Sequence, residues 1–172
     1  YQSEFEVVKK EDQSPLTIAD QRSNEVIEKL LKPSGIPILS EEGIHSSFEE
    51  RKSFTYLWIV DPLDGTKEFV KKNGEFTVNI ALVENGIPIL GVIYVPVKKW
   101  MYFGSSAGSF REVGGSREKL PLNIKKEVFT AVGSRSHPSK ETADFFEQLK
   151  KETGNVEVVS MGSSLKICLV AE

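Results

Sequence analysis

The chain has 172 residues, of which 39% are hydrophobic and 27% charged, and its formal net charge is −3. Length and composition fit one domain, or one and a fraction; they exclude a disordered chain, and the mild acidity argues against a protein that coats nucleic acid. The apolar runs are short and interrupted, as over 87–97, so none suits a bilayer span, and the polar opening Tyr1-Gln2-Ser3-Glu4 does not read as a signal peptide.

Thr17, with Asp20 three residues on, reads as the N-cap of a first helix, close to a capping box. The helix carries an apolar stripe of Ile18, Val26, Ile27, Leu30 and Leu31, and Lys32-Pro33-Ser34-Gly35 stops it. Residues 36–39 make a short buried strand that runs into Ser40-Glu41-Glu42-Gly43. Residues 56–60 are a strand by composition, limited by Pro62 and followed by a turn at Gly65 and a short helix from Thr66. Phe76, Val78, Ile80 and Leu82 then alternate with Thr77, Asn79, Ala81 and Val83. Asn85-Gly86 predicts a type I′ hairpin, with its returning strand at 87–95. Strands at 100–103 and 110–113 complete an antiparallel meander. After it come a strand at 128–132, a helix at 139–151, a strand at 156–160 and a helix from 164. Cys168, the single cysteine, lies in the apolar run of this last helix. It reads as a small buried hydrophobe, and the lack of any possible disulfide within the chain fits a reducing compartment. Helices, then a meander, then α/β alternation predict a layered α+β fold or a mixed sandwich. The expected division is an N-terminal α+β portion over 1–127 and the start of a C-terminal α/β portion over 128–172.

The run Asp61-Pro62-Leu63-Asp64-Gly65-Thr66 sets two carboxylates three residues apart at the end of a buried strand. Pro62 fixes the backbone between them and Gly65 permits a tight turn. Two neighbouring carboxylates repel unless a cation lies between them. Magnesium takes hard oxygen ligands, a few carboxylates among them, with water and phosphate completing its shell. Amides at Gly65 and Thr66, at a helix start, add a place for an anion. The same run also suits an ordinary turn, because Asp-Pro and Asp-Gly are common turn formers. Glu41 at a strand end and Asp20 in a first helical turn bring the acids at element ends to four. Each has a plainer reading, Glu41 as a solvated loop acid and Asp20 as half of a cap. On spacing alone, a multi-metal cluster and a set of separate turns stand level.

Residues 58–69, W-I-V-D-P-L-D-G-T-K-E-F, resemble the W-x-V-D-P-L-D-G-T-K-E-F signature of the bisphosphate nucleotidase branch of the inositol monophosphatase superfamily. The resemblance continues in order through S-P-L-T-I-A-D (14–20), L-S-E-E (39–42), K-N-G-E-F-T-V-N-I-A-L (72–82), S-R-S-H (134–137) and G-S-S-L-K (162–166). It implies a layered α-β-α-β-α sandwich with the meander at its centre. It also implies magnesium, two or three ions, as cofactor. Glu41, Asp61 and Asp64 would be metal ligands through their side chains and Leu63 through its carbonyl. Asp20 would serve a further metal or a water, Gly65 and Thr66 would hold the phosphate, and Thr66 and Glu41 would orient the attacking water. His137, Ser163 and Lys166 would contact the nucleotide, with Lys166 and His137 suited to a second phosphate. Arg135 is a further anion candidate. Unaided, His137 before Pro138 reads as a surface residue, Ser163 as a cap and Lys166 as a solvated lysine.

The implied reaction is hydrolysis of adenosine 3′,5′-bisphosphate to AMP and phosphate by water, without a covalent phosphoenzyme. 3′-Phosphoadenylyl sulfate would be a second substrate, and lithium an inhibitor. The setting would be sulfate assimilation, in the cytoplasm, where some relatives sit on the inner membrane face. The expected partner is a small phosphorylated nucleotide, with neither nucleic acid nor a membrane span. An inositol or sugar phosphatase is the rival within the superfamily, but Lys67-Glu68-Phe69 favours the nucleotidase branch. The resemblance also implies a longer protein, extending past both ends of this chain. A W-D motif whose Asp is another metal ligand belongs to that continuation, and this chain has no Asp after Asp144. A metal- or nucleotide-binding domain without turnover is therefore another reading, with a purely structural module ranked below it.

Overall fold

The structure, a computed structural model, describes residues 7–9, 15–43, 46–123 and 128–172. Strands β1 (Val7–Lys9) and β2 (Pro15–Thr17) pair antiparallel ahead of helix α1 (Ile18–Leu31). Ser14, in the segment resembling the nucleotidases, and the side chain of Thr17, the expected cap, lie outside the described part.

The face that α1 buries is not the apolar stripe. Val26 is 58% exposed and Leu30 72%, while Asp20, Asn24 and Ile27 are buried. Those three stand at i, i+4 and i+7, which is one helical face, and two of them are polar. The reason lies in what the face meets. Ser23 Oγ donates to the carbonyl of Pro62 at 2.8 Å, the Ser40 hydroxyl donates to Asn24 Oδ1, and Asn24 Nδ2 donates to Glu28 at 2.9 Å. The helix thus lies against strand ends that carry the acids, and a buried polar face there is satisfied by hydrogen bonds.

A turn of 3₁₀ helix (Lys32–Ser34) ends at Gly35 and leads into β3 (Ile38–Ser40). A helix the sequence reading missed, α2 (Phe48–Arg51), follows. Its signal was present: Ser47 and Glu50 form a reciprocal capping box. Strand β4 (Tyr56–Asp64) runs through Pro62 rather than stopping there. The ladder with its neighbour slips between Asp61 and Asp64, opposite Asn79 and Thr77, so this bulge takes Pro62 out of the hydrogen-bonding register.

After the short helix α3 (Thr66–Val70) come β5 (Thr77–Glu84) and β6 (Ile87–Val95). Asn85 at φ 48° and Gly86 at φ 81° join them, the positive pair that a type I′ turn requires. Strands β7 (Trp100–Ser105), β8 (Gly108–Val113) and β9 (Ser116–Lys119) extend the meander. The seven-stranded sheet has the order β3-β4-β5-β6-β7-β8-β9, antiparallel except for the parallel pair β3–β4. A second sheet pairs β10 (Phe129–Ser134) with β11 (Val156–Met161) in parallel, with α4 (Lys140–Thr153) as the crossover. The chain closes on α5 (Leu165–Ala171). The result is the expected mixture of helices with a large, mostly antiparallel sheet. Among the described residues, no helix is long and apolar enough to cross a membrane.

Two apolar clusters hold these layers. Leu63, Phe69 and Phe76 pack beneath the turn at the end of β4, with the Phe69 and Phe76 rings edge to face at 5.0 Å. Leu165 and Cys168 of α5 pack on Val95 and Tyr102 of the sheet. Burial first, then nearby Glu172, pushes the Cys168 thiol up to about 12. The folded protein should therefore resist alkylation at pH 8 and react rapidly once unfolded in guanidinium, a contrast that mass spectrometry reads directly. Equal rates in both states would contradict this packing.

Candidate active site

The end of β4 is where the chemistry gathers. Asp61 lies before the bulge and Asp64 after it, so the slipped register separates the two carboxylates along one strand end. Burial is the main cause that pushes the Asp61 carboxyl up to about 7; the neighbouring carboxylates of Glu41 and Asp64 add to it. Glu41 is brought there by β3, whose parallel pairing with β4 continues as the Glu41 amide donates to the Val60 carbonyl at 3.0 Å. The acids therefore feel one another across a poorly solvated space. Among the described residues, no three His, Cys, Asp or Glu side chains close into a finished metal cage.

Asp64 is fixed from the other side. Its Oδ2 accepts from Thr77 Oγ1 at 3.3 Å, from Asn79 Nδ2 at 3.5 Å and from the backbone amide of Ser164. Ser164 Oγ in turn meets Thr77 Oγ1 at 2.8 Å and donates to Asn79 Oδ1 at 2.9 Å. This network ties the start of α5, one hundred residues along the chain, to the acidic turn.

Gly65 follows with φ 91°, a left-handed conformation that glycine adopts without strain. A Cβ there would approach Ser163 Cβ to 3.1 Å, so its absence also permits close contact with the 162–164 turn. Thr66 Oγ1 lies 3.3 Å from Asp20 Oδ1 and 3.5 Å from the Leu63 carbonyl. Asp20 is 1% exposed and Leu63 5%, so both lie beneath the turn.

Above the turn is a pocket of about 250 Å³. It joins Asp64, Gly65 and Thr66 to His137, Ser163 and Lys166, so the residues expected to bind substrate face one space. Glu41, Asp61, Leu63 and Asp20 are not in its lining; they lie beside or under it. The lining also includes Lys67, Glu68, Ser134 and Ser136, to which the sequence reading gave no role. Lys67 and Glu68 stand inside the matched signature, and Ser134 and Ser136 flank Arg135 in the S-R-S-H segment; position within those motifs was the available signal.

Lys67 Nζ lies 2.9 Å from His137 Nε2, and Lys166 Nζ donates to the Ser163 carbonyl at 2.5 Å. Glu68 is 2% exposed, and Ser136 and Asn73 both donate to its carboxylate. Burial pushes that carboxyl up, but the two donors, with Lys71 and Arg135 nearby, outweigh it and hold Glu68 below the usual carboxylate range. Arg135, expected as an anion contact, is engaged elsewhere. Its guanidinium makes a two-pronged pair with Glu75 at 2.6 and 2.7 Å and donates to the Ser160 carbonyl. The geometry of the fork suits a carboxylate in cis, so the pocket loses this cation.

A larger groove of about 430 Å³ on the sheet face is lined mainly by apolar groups such as Ile80, Val92, Phe103 and Ile167. Asp61 and Asn79 reach one part of it, but it lacks the convergent polar groups that a phosphate needs.

The inositol monophosphatase family profile matches residues 1–172. The chain is 44% identical over 170 residues to the 3′(2′),5′-bisphosphate nucleotidase CysQ of Salmonella typhimurium, covering 98% of this chain and 67% of that protein. The crystal structure of CysQ from Bacteroides thetaiotaomicron superimposes with a TM-score of 0.83 at 49% identity, over 95% of this chain and 66% of that one. The suppressor protein SuhB from Bartonella henselae superimposes with a TM-score of 0.71 at 25% identity, over 96% and 64%. The chain spans about two thirds of the length of these relatives. It belongs to the inositol monophosphatase family.

Proposed function

We propose that this chain carries the metal- and phosphate-binding part of a phosphatase that converts adenosine 3′,5′-bisphosphate to AMP and phosphate. The observation that supports this most is the single pocket joining Asp64, Gly65 and Thr66 to His137, Ser163 and Lys166. The name of the Salmonella typhimurium relative, a 3′(2′),5′-bisphosphate nucleotidase, supplies the substrate class.

The donor set fits a divalent cation. Asp61 is pushed up to about 7 by burial and by two neighbouring carboxylates, a repulsion that a cation would relieve. Hard carboxylate oxygens suit magnesium. Glu41, Asp61 and Asp64 would hold it, with the Leu63 carbonyl, and Asp20 would serve a further ion or a water. Bound magnesium supplies Lewis-acid charge neutralisation and lowers the pKa of water.

The remaining work falls to the chain's own groups. Thr66 donates its hydroxyl proton inward, to Asp20 or the Leu63 carbonyl, which leaves its lone pairs to accept from the attacking water. Glu41 accepts the same water's second hydrogen bond. Gly65 and Thr66 hold the reacting phosphate against the turn. The water oxygen bonds to phosphorus as the bond to the 3′ oxygen breaks; one of the water's protons ends on that leaving oxygen and the other stays with the released phosphate. Ser163, Lys166 and His137 hold the rest of the nucleotide.

The test is phosphate release from adenosine 3′,5′-bisphosphate and from inositol monophosphate, with magnesium, with and without lithium. Release favouring the bisphosphate, dependent on magnesium and reduced by lithium, is the expected result. Preference for inositol monophosphate would replace this reading with a sugar phosphatase.

A further inference from the structure

We propose that Lys67 is a specificity-determining residue, which beside His137 grips a second phosphate group of the substrate, distinct from the one held at Gly65 and Thr66. The inference deepens the reading above and rests on it for the place of the first phosphate.

Two lysines line the pocket, Lys67 and Lys166, together with His137. Among the described residues neither lysine is paired with a carboxylate. Lys67 Nζ meets the ring nitrogen of His137, and Lys166 Nζ meets a backbone carbonyl. The neighbouring cation Arg135, by contrast, is taken up by Glu75. The acids that line the pocket are already occupied, Glu68 by Ser136 and Asn73, and Asp64 by three donors. Cations left without counter-charges in a recess beside a phosphate turn suit an anionic ligand, and charge-assisted bonds to phosphate are strong ones.

Position separates Lys67 from the reacting phosphate. It follows Thr66 on α3, and its side chain reaches His137, which begins beyond β10 on the second sheet. The pair therefore spans the recess from the acidic turn to the opposite wall. That wall is held in place: Ser136, the residue before His137, donates to buried Glu68 and receives a bond from Lys71 at 3.1 Å. A phosphate seated between Lys67 and His137 would replace a contact between two basic groups with contacts from both to an anion. A substrate with one phosphate has nothing to place there.

The experiment measures binding by calorimetry in EDTA, so that turnover does not consume the ligand, in the full-length protein. The ligands are adenosine 3′,5′-bisphosphate and adenosine 3′-monophosphate, which share the reacting phosphate and differ in the second. The unmodified protein should favour the bisphosphate, and Lys67→Met should reduce that preference by at least about tenfold. Lys67→Arg should retain most of it. Lys67 is exposed, so Lys67→Met should melt like the parent. An unchanged preference in Lys67→Met would overturn the proposal. So would equal weakening of both ligands, which would place Lys67 at the shared phosphate, or an unmodified protein that binds both equally. Failure of the nucleotidase reading is separate: the unmodified protein would then release no phosphate from the bisphosphate with magnesium, whatever the binding preference.

Discussion

Asp64→Asn should lower magnesium-dependent phosphate release at least about a hundredfold while leaving the protein folded. The substitution keeps the shape of the side chain and one oxygen. That oxygen can continue to accept from Ser164, Thr77 and Asn79, the three donors that tie α5 and β5 to the turn. What it removes is a negative charge from the group formed with Asp61 and Glu41. A magnesium titration makes the distinction. If Asp64 holds the metal, the variant needs far more magnesium for any residual rate, and its melting temperature stays within a few degrees of the parent. Activity and magnesium requirement like the parent's would remove Asp64 from the metal site. Activity lost together with a large fall in melting temperature would point instead to the hydrogen-bond network as its main task.

How much of this site was legible in the sequence depends on which interactions define each part. The hairpin at Asn85-Gly86 was readable because a two-residue turn with positive φ is a local demand that those two residues meet. The strand into the acidic turn was readable by composition, but its end was not. Pro62 is a strand breaker only where its missing amide is needed, and a bulge removes that need. Helix α1 shows the opposite error. Its apolar stripe was plain, yet the buried face is set by Asp20 and Asn24, because the neighbouring strand ends present a carbonyl, a hydroxyl and the Thr66 side chain rather than apolar groups. Helical periodicity records which side could be greasy and not what it meets. The pocket is less legible still. Asp64 and Ser164 are held together across most of the chain, and nothing local to either predicts the contact. Only the ordered resemblance to a family put the distant segments in one site, and it gave Lys67, Glu68 and Ser136 no role there.

Gly162→Ala should destabilise the protein by about 1–3 kcal/mol, although the backbone there does not have the positive φ that usually reserves a position for glycine. The cause is space. A Cβ at this position would stand 2.6 Å from Glu68 Cγ, 3.0 Å from the Glu75 carbonyl and 3.1 Å from Glu68 Cδ. The carbonyl belongs to the backbone and cannot swing aside. Glu68 is a side chain but has little freedom, because Ser136 and Asn73 both hold its carboxylate. The Gly162 amide also donates to Glu75 at 2.8 Å, and Glu75 is the partner of Arg135, so moving the turn strains that pair as well. For a chain of 172 residues a loss of this size lowers the melting temperature by roughly 2–12 °C. Gly91→Ala is the control. It sits in β6 without positive φ, and no atom lies within 4 Å of its ideal Cβ, so it should be neutral or gain a few tenths of a kcal/mol from a less flexible unfolded chain. The larger consequence is at the pocket. Relief of the clash requires Glu68 to shift, and Glu68 anchors Ser136 next to His137. Gly162→Ala should therefore weaken nucleotide binding by more than its loss of stability alone would cause at a temperature where the variant is fully folded. Binding equal to the parent's at that temperature would show that the wall bearing His137 does not depend on Glu68.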